Sequence, residues 1–302
     1  MRIAQVDISP EELVRGTSDP LLSIHGDIVS VVSQLSSYLS TWAFPSTTPW
    51  ASLLAASTSK NLSIANRKAS TPTTPLSYHR SFTVIKSTLE SLASSLDDLV
   101  YVSEGANTMD ISRSIFSVSQ PRQRLDAGTY ATMGVGLGYA IAAEMAYNHT
   151  REARAAGGRK RIVAIEGDSA FGFSLPEVET MARYRLPIIV VVVNNGGVYR
   201  GISTNDPSWR DEVWEKDPDG KRREARLTST ALGFETEYDV VSRGLGGRGW
   251  KVRDEKELVD AVREAWGYTE GPSVINMIIA SGVETKLEFG WLGKGEKGSS
   301  KL

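Results

Sequence analysis

The sequence predicts an α/β protein built on a doubly wound, mostly parallel sheet. Helical and strand-like patterns alternate from about residue 76 onward, which is typical of parallel sheets with crossover helices. The run over 188–193 is uniformly apolar and rich in β-branched residues, as expected of a central strand covered by helices on both faces. Apolar runs at 99–103, 162–165 and 274–279 predict further strands of this sheet.

The segment before residue 76 is less regular. Residues 3–8 predict a short buried strand, Pro10 begins a turn or short helix, and 27–39 has the apolar periodicity of a helix. Ser, Thr, Pro and Ala dominate 41–75, which favours a linker with one poor helix in it. Further helices are predicted over 78–96, 134–147, 175–184 and 255–266.

Two segments indicate a helix start and a surface loop, respectively. Ser174-Leu175-Pro176-Glu177 predicts a capping box with proline in the first helical turn. The segment 209–226 is dense in charges of both signs, which predicts a solvated surface loop.

The composition narrows the functional classes. Of 302 residues, 40% are hydrophobic and 23% charged, the usual mix of a soluble globular protein. A net charge of −2 argues against a non-specific nucleic-acid binder. The absence of cysteine excludes disulfide scaffolds, thiolate metal sites and cysteine nucleophiles. No apolar run is long enough to predict a membrane span, and an acidic residue interrupts any secretory signal at Asp7.

Asp168 and Asn195 each come shortly after a predicted strand. Asp168 comes after the strand at 162–165, and Asn195 comes after 188–193, one helix and one strand further along the chain. Since ligands of such sheets bind at the carboxyl ends of the strands, we expect both residues at one edge. Carboxylate and amide oxygens suit Mg²⁺ or Ca²⁺. A cation site is therefore expected there.

The same two loops suit a diphosphate group. The N–H groups of Ser169, Ala170, Gly197 and Val198 are expected to be free to bind it. Mg²⁺ is commonly completed by phosphate oxygens, whereas an aspartate alone would repel a phosphate. The pattern therefore predicts a diphosphate bridged to Asp168 by a cation.

Gly167-Asp168-Ser169, followed one helix and one strand later by Asn194-Asn195, resembles the cofactor motif of thiamine diphosphate-dependent enzymes. Longer strings resemble the 2-hydroxyacyl-CoA lyase and oxalyl-CoA decarboxylase branch, at 102–110, 124–129, 132–138, 166–174 and 194–201. The resemblance covers nearly the whole chain. It implies a remnant of the family's central α/β domain over 1–56, a linker over 57–75 and the C-terminal thiamine diphosphate/Mg²⁺-binding domain over 76–302.

The resemblance also implies roles for individual residues. Asp168, the side chain of Asn195 and the carbonyl of Gly197 would bind Mg²⁺, and Asn107 falls where the family contacts the diphosphate. The Ala131 carbonyl would accept a hydrogen bond from the 4′-amino group of the cofactor. Met133 would be the apolar wedge that bends thiamine diphosphate; on its own, it would be taken as a core residue.

One part of the family pattern is missing. These enzymes carry an N-terminal domain with a Glu that activates the cofactor, and that domain is not found in this chain. Glu104 and Glu166 lie near the expected site, but neither matches that Glu. No catalytic residue is therefore assigned in the chain, and a homo-oligomer or another partner is expected to supply the missing domain.

The expected activity is that of a thiamine diphosphate-dependent carbon–carbon lyase acting on an acyl-CoA substrate. It would cleave a 2-hydroxyacyl-CoA to formyl-CoA and a shortened aldehyde, as in fatty acid α-oxidation. Oxalyl-CoA decarboxylase is the alternative within the branch. A non-catalytic cofactor-binding or regulatory half-subunit is the alternative of another class.

The last three residues, Ser300-Lys301-Leu302, match the peroxisomal import tripeptide. The preceding stretch, 293–299, is rich in Gly and Lys, which favours a flexible segment that a receptor can reach. We expect a peroxisomal protein recognised by the import receptor.

Overall fold

The computed structural model of the chain describes residues 3–16, 19–155, 157, 159–199, 201 and 229–282. The predicted loop at 209–226 and the tripeptide at 300–302 lie outside the described residues. The chain divides into two compact units, Met1–Leu62 and Ser63–Leu302. The domain boundaries at residues 56 and 76 stay a prediction.

The smaller unit contains a two-stranded parallel sheet and helices. Strand β1 (Gln5–Asp7) pairs with β2 (Ser23–His25), and helix Leu13–Gly16 lies between them in the sequence. Helix Ile28–Tyr38 begins after Asp27, whose side chain accepts a hydrogen bond from the Ser30 N–H. The stretch interpreted as a linker carries one helix, Pro49–Ser70, which continues past Leu62, the last residue of this unit.

The larger unit contains a six-stranded parallel sheet, which confirms the predicted fold class. Its strands are β3 (Leu99–Glu104), β4 (Arg124–Asp126), β5 (Arg161–Gly167), β6 (Ile189–Asn194), β7 (Arg248–Val252) and β8 (Ser273–Ile278). They lie in the order β4-β3-β5-β6-β8-β7, and each neighbouring pair is parallel. Because the chain moves from β3 to β4 on one side and then to β5 on the other, the strand order reverses between β3 and β5. Sheets of this type bind ligands in the crevice at such a switch point.

Helices cover both faces of this sheet. Side chains of helices Tyr78–Leu92, Ala106–Ile115 and Glu255–Gly267 pack with alternate strand residues such as Leu99 and Val191. The strand residues between them pack with helices of the opposite layer, Gly136–Glu144, Asp168–Ser174, Glu177–Arg183 and Tyr238–Gly244. Strands buried on both sides explain the uniformly apolar run in β6.

The structure contains elements that the sequence pattern does not predict. Strands β4 and β7 lie at the sheet edges and are short or partly polar, so they lack an apolar run. Helix Ala106–Ile115 has a mostly polar composition. The predicted helix over 134–147 is an α-helix over Gly136–Glu144 that continues as a π-helical turn, Met145–His149.

The predicted capping box at Ser174 is wrong. Ser174 is the last residue of helix Asp168–Ser174, and its buried hydroxyl has no hydrogen-bond partner among the described residues. The chain becomes helical directly after β5, so residue 174 cannot adopt the extended conformation of an N-cap. The next helix begins at Glu177, after Pro176.

Across the described part of the chain, no helix combines the length and the apolar character that a membrane crossing needs.

Candidate functional site

The carboxyl edge of the sheet brings together loops that follow β3, β5 and β6. In register, Glu104 at the end of β3 pairs with Glu166 of β5, and Gly167 of β5 pairs with Val193 of β6. A Cβ at Gly105 would lie 3.4 Å from the Gly167 nitrogen, so the first two loops are in close contact. The site predicted from the sequence lies beside the switch point of the sheet.

The Asp168 carboxylate ties the loop after β5 to the loop after β6. Asp168 is 2% exposed and begins the helix that follows β5. Its Oδ2 atom accepts hydrogen bonds from the N–H groups of Gly196 and Gly197, both at 2.8 Å. Its Oδ1 atom accepts from the Ser169 N–H at 2.7 Å. The carboxylate is thus held in one orientation by backbone donors from both loops.

The described residues provide no cation that balances the charge of Asp168. Burial raises the pKa of Asp168 to about 6, although the hydrogen bonds from Ser169, Gly197 and Gly196 favour the ionised form. No positively charged side chain among the described residues contributes to this pKa. A bound cation would offset the desolvation of the carboxylate. The electrostatics of the site therefore suit a metal ion.

Two asparagine side chains converge on one carbonyl oxygen beside this carboxylate. Asn195 is 2% exposed, and its Nδ2 donates to the Tyr199 carbonyl at 3.1 Å. Asn107, in the first turn of the helix after β3, donates from Nδ2 to the same oxygen at 2.8 Å. Asp168 and Asn195 thus follow adjacent strands at one edge, as their spacing predicts, and Asn107, which only the family resemblance suggested, reaches the same edge from β3.

The backbone at Gly197 has no room for a side chain. Its φ is +153°, and a Cβ there would lie 2.4 Å from the Thr230 carbonyl oxygen. This close approach arises because the Val198 N–H donates to Thr230 O at 2.9 Å and Gly197 forms an antiparallel bridge with Ala231. Segment 230–232 therefore fixes the loop that holds Asp168.

The expectation that the N–H groups of Ser169, Gly197 and Val198 are free is wrong. The first two donate to the Asp168 carboxylate, and the third donates to Thr230. A buried carboxylate requires hydrogen-bond donors, and Asp168 takes those of Ser169 and Gly197, while the Val198 N–H is used in the pairing of its loop with segment 230–232. Ala170 lies buried in the same short helix.

Ala131 and Met133 lie on the loop that precedes helix Gly136–Glu144, and hydrogen bonds to Glu104 hold this loop at the end of β3. Ala131 has a φ of +49°, in the left-handed region. Met133 is 43% exposed, so it is not a core residue and its side chain is accessible. The loop continues into helix Gly136–Glu144, and the Glu104 carboxylate accepts hydrogen bonds from the N–H groups of Gly134 and Gly136.

Glu166 is the other acidic residue at the switch point. It is fully buried, and neither carboxyl oxygen has a hydrogen-bond partner among the described residues. Burial, and then the charge of Glu104, raise the pKa of Glu166 well above its ordinary value. Sequence reasoning finds both glutamates near the site but assigns them no role, because their mutual contact depends on the register of β3 and β5.

A buried polar network that sequence reasoning misses supports the loop after β6. Asn194 donates from Nδ2 to the Asn276 side-chain oxygen at 3.0 Å and to the Thr236 carbonyl at 3.1 Å. Asn276 in turn donates from Nδ2 to Thr236 O at 2.9 Å and to Asp239 at 3.2 Å. An asparagine inside the apolar run of β8 is the sequence signal for such a network, since a buried amide requires partners.

The family model for the "Thiamine pyrophosphate enzyme, C-terminal TPP binding domain" matches residues 104–277. The chain belongs to the thiamine pyrophosphate enzyme family. The resemblance found in the sequence is thereby confirmed, and the chain carries a thiamine diphosphate-binding domain, thiamine pyrophosphate being the same compound. The matched residues run from Glu104 at the end of β3 to Met277 in β8 and so include the whole carboxyl edge described above.

Similar proteins of this family are named 2-hydroxyacyl-CoA lyase and oxalyl-CoA decarboxylase. Human 2-hydroxyacyl-CoA lyase 1 is 37% identical over 295 residues, which are 97% of this chain and 48% of the relative. The 2-hydroxyacyl-CoA lyase of Saccharomyces cerevisiae is 34% identical, over 96% of this chain and 47% of the relative. Oxalyl-CoA decarboxylase of Escherichia coli K12 is 34% identical, over 93% and 44%. The chain spans about half the length of these curated relatives.

Solved structures support the fold of this family member. Benzoylformate decarboxylase from Polynucleobacter necessarius superimposes with a TM-score of 0.51 and 22% identity, over 68% of this chain and 33% of that one. The 4-hydroxybenzoylformate decarboxylase of Rhodococcus jostii RHA1 gives a TM-score of 0.50 and 18% identity, over 70% and 34%. At these identities, the likeness concerns the fold alone.

The Gly197→Ala variant is expected to destabilise the chain by about 2 kcal/mol or more, because alanine at this φ is strained and its Cβ meets a backbone oxygen. The matched control is Gly172→Ala, at an exposed helical position where a Cβ meets no atom within 4 Å. The free energy of unfolding of this control is expected to rise by up to about 1 kcal/mol. Urea unfolding followed by circular dichroism measures both. Equal stabilities would contradict the role of Gly197.

Proposed function

We propose that this chain is the cofactor-binding part of a thiamine diphosphate-dependent carbon–carbon lyase. The reaction is the cleavage of a 2-hydroxyacyl-CoA to formyl-CoA and a shortened aldehyde, a step of fatty acid α-oxidation. Family membership and the similarity to 2-hydroxyacyl-CoA lyases support the reaction class. The single observation that carries the site is the buried Asp168 carboxylate, which accepts from the Gly196 N–H next to Asn195 and has no balancing cation among the described side chains.

In this proposal, Asp168, the side chain of Asn195 and the carbonyl of Gly197 bind Mg²⁺. The donor set fits, because all three supply hard oxygen ligands. The backbone donors at Gly196 and Gly197 keep the Asp168 carboxylate in a fixed orientation and favour its ionised form. Mg²⁺ then accounts for a carboxylate buried without a cation among the described side chains.

The diphosphate end of the cofactor is assigned to Asn107, Ser169, Ala170 and Val198, around the metal site. Because the Ser169 and Val198 N–H groups have protein partners, they reach the diphosphate only by sharing or exchanging these hydrogen bonds. The amide of Asn107 lies on the same side, since it donates to the Tyr199 carbonyl together with Asn195.

The other end of the cofactor is assigned to the loop that precedes helix Gly136–Glu144. The Ala131 carbonyl would accept a hydrogen bond from the 4′-amino group, and Met133 would be the apolar side chain in contact with the cofactor. The 43% exposure of Met133 supports this role, because the side chain is available for contact. Thiamine diphosphate, when bound, supplies a nucleophilic carbon and an electron sink for C–C cleavage.

The activating Glu is proposed to come from outside the described residues. A homo-oligomer, or a partner that contains the family's N-terminal domain, would supply it. The acyl-CoA substrate would enter the same carboxyl edge of the sheet, where the loops after β3, β5 and β6 meet.

Replacement of Asp168 tests the metal and diphosphate site. Loss of a residue that only hydrogen-bonds to a metal ligand typically weakens metal binding by roughly 10–100-fold. Because Asp168 is proposed as a ligand itself, Asp168→Asn is expected to weaken Mg²⁺-dependent binding of thiamine diphosphate by more than that. The control, Asp260→Asn, changes an exposed aspartate that pairs with Lys256 on a helix surface and is expected to bind normally. Isothermal titration of the chain with thiamine diphosphate, with and without Mg²⁺, measures both. Unchanged affinity in Asp168→Asn would refute the metal assignment.

Substrate specificity is tested with the whole protein that contains this chain. A lyase converts a 2-hydroxyacyl-CoA to formyl-CoA and an aldehyde, so we expect aldehyde to form in step with formyl-CoA. Oxalyl-CoA decarboxylase is the second candidate because of the 34% identity to the Escherichia coli enzyme, and it would release CO₂ from oxalyl-CoA. Faster release of CO₂ than of aldehyde would replace the lyase assignment. Cofactor binding without turnover of either ester would favour a non-catalytic subunit.

We propose a peroxisomal location, with Ser300-Lys301-Leu302 as the tripeptide that the import receptor recognises. A fluorescent protein that ends in residues 293–302 of this chain is expected to accumulate in peroxisomes, and the same fusion without Leu302 is expected to stay diffuse. Microscopy against a peroxisomal marker distinguishes the two. A diffuse signal from the complete tail would contradict this location.

A further inference from the structure

Glu104 occupies an unusual place in the fold. It is the last residue of β3, at the switch point of the sheet, and it is fully buried. One of its carboxyl oxygens accepts from the Gly134 N–H and the other from the Gly136 N–H. A single side chain therefore satisfies the N–H of Gly136, the first residue of helix Gly136–Glu144, which lacks a partner within the helix, and the N–H of Gly134 just before it.

These two donors belong to the loop that carries Ala131 and Met133. The loop contains two residues of positive φ, Ala131 at +49° and Gly134 at +85°. A Cβ at Gly134 would lie 3.2 Å from the Phe173 side chain, so the loop also packs against the helix that Asp168 begins. Gly134 adopts its positive φ without strain, but the non-glycine Ala131 keeps its left-handed conformation only where surrounding contacts fix the loop, and Glu104 supplies two such contacts.

Gly136 brings the backbone directly onto the carboxyl pair. A Cβ at this position would lie 2.2 Å from Oε1 of Glu166 and 2.8 Å from Oε2 of Glu104. Only glycine lets the helix start approach so closely. The two glutamates are paired across β3 and β5, yet only Glu104 accepts hydrogen bonds from the described residues, since both oxygens of Glu166 lack partners there.

We propose that Glu104 is a positioning residue for thiamine diphosphate: its carboxylate, bonded to the Gly134 and Gly136 N–H groups, holds the loop that presents Ala131 and Met133 to the cofactor. The inference rests on the proposed function. Glu104 acts through the loop, with no contact of its own to the cofactor. Glu104 therefore influences the binding of the ring end of thiamine diphosphate and leaves the binding of the diphosphate end, at Asp168, unchanged.

The neighbouring glutamates provide a matched pair of isosteric variants. In Glu104→Gln, one carboxyl oxygen becomes an NH₂ group, which faces a backbone N–H and cannot accept from it. Glu166→Gln removes no hydrogen bond, because Glu166 accepts none among the described residues. Both positions are equally buried. A difference between the two variants therefore reports the loss of the Glu104 hydrogen bonds and not the general effect of replacing a buried acid by an amide.

Hydrogen exchange of the full chain is the first measurement. Glu104→Gln is expected to speed amide exchange in peptides that cover 131–137 by about tenfold or more, while Glu166→Gln leaves them within about twofold of wild type. Exchange in peptides that cover β6 is expected to stay unchanged in both variants. Equal exchange over 131–137 in Glu104→Gln and wild type would overturn the proposal. Should Glu104→Gln not fold, Glu104→Asp, which keeps the charge but is one methylene too short to reach both donors, is measured instead.

Ligand binding is the second measurement, made by titration with thiamine diphosphate and with inorganic pyrophosphate, both in the presence of Mg²⁺. Glu104→Gln is expected to weaken thiamine diphosphate binding by about tenfold or more and pyrophosphate binding by less than about twofold. In a Met133→Ala background, the effect of Glu104→Gln is expected to shrink, because both act through one loop. Equal weakening of both ligands, or an undiminished effect in that background, would overturn the positioning role. If wild type binds neither ligand, the proposed function itself fails, which separates the two failures.

Discussion

The parallel register of β3, β5 and β6 brings the candidate site together. It places the ends of these strands side by side, so that Glu104 faces Glu166 and Gly167 faces Val193. The loops that follow must then share one narrow edge. The Asp168 carboxylate joins two of these loops through hydrogen bonds from Gly196 and Gly197. A slip in this register would separate every residue of the site, since side chains of a strand alternate between its faces.

Three acidic side chains are buried at this edge, and each is accommodated differently. Asp168 accepts N–H groups from two loops, Glu104 accepts those of Gly134 and Gly136, and Glu166 has no partner among the described residues. Burial of a carboxyl group costs free energy unless it is paired or protonated. The raised pKa values of Asp168 and Glu166 reflect this cost. Such a concentration of buried acids costs stability, which is a cost that functional sites commonly carry.

The backbone contributes as much to the site as the side chains do. Gly197 and Gly136 lie where a Cβ would collide with the Thr230 carbonyl and with the Glu166 carboxyl, respectively. A motif search identifies these glycines only as parts of longer strings. Their physical role depends on atoms that come from β3, from β5 and from segment 230–232, which are far apart in the sequence.

The parallel α/β fold, the central strand and the placement of Asp168 and Asn195 after neighbouring strands can be predicted from the sequence, because apolar periodicity and the spacing between strand ends are local properties. Family motifs at fixed spacing added the cofactor class. Sequence patterns do not predict the partners of Ser169, Gly197 and Val198, the polar network of Asn276, or the hydrogen bonds that Glu104 accepts from the loop of Met133, which the folded chain shows. Hydrogen-bond partners and burial depend on which distant segments pack together, and one-dimensional patterns do not contain that information.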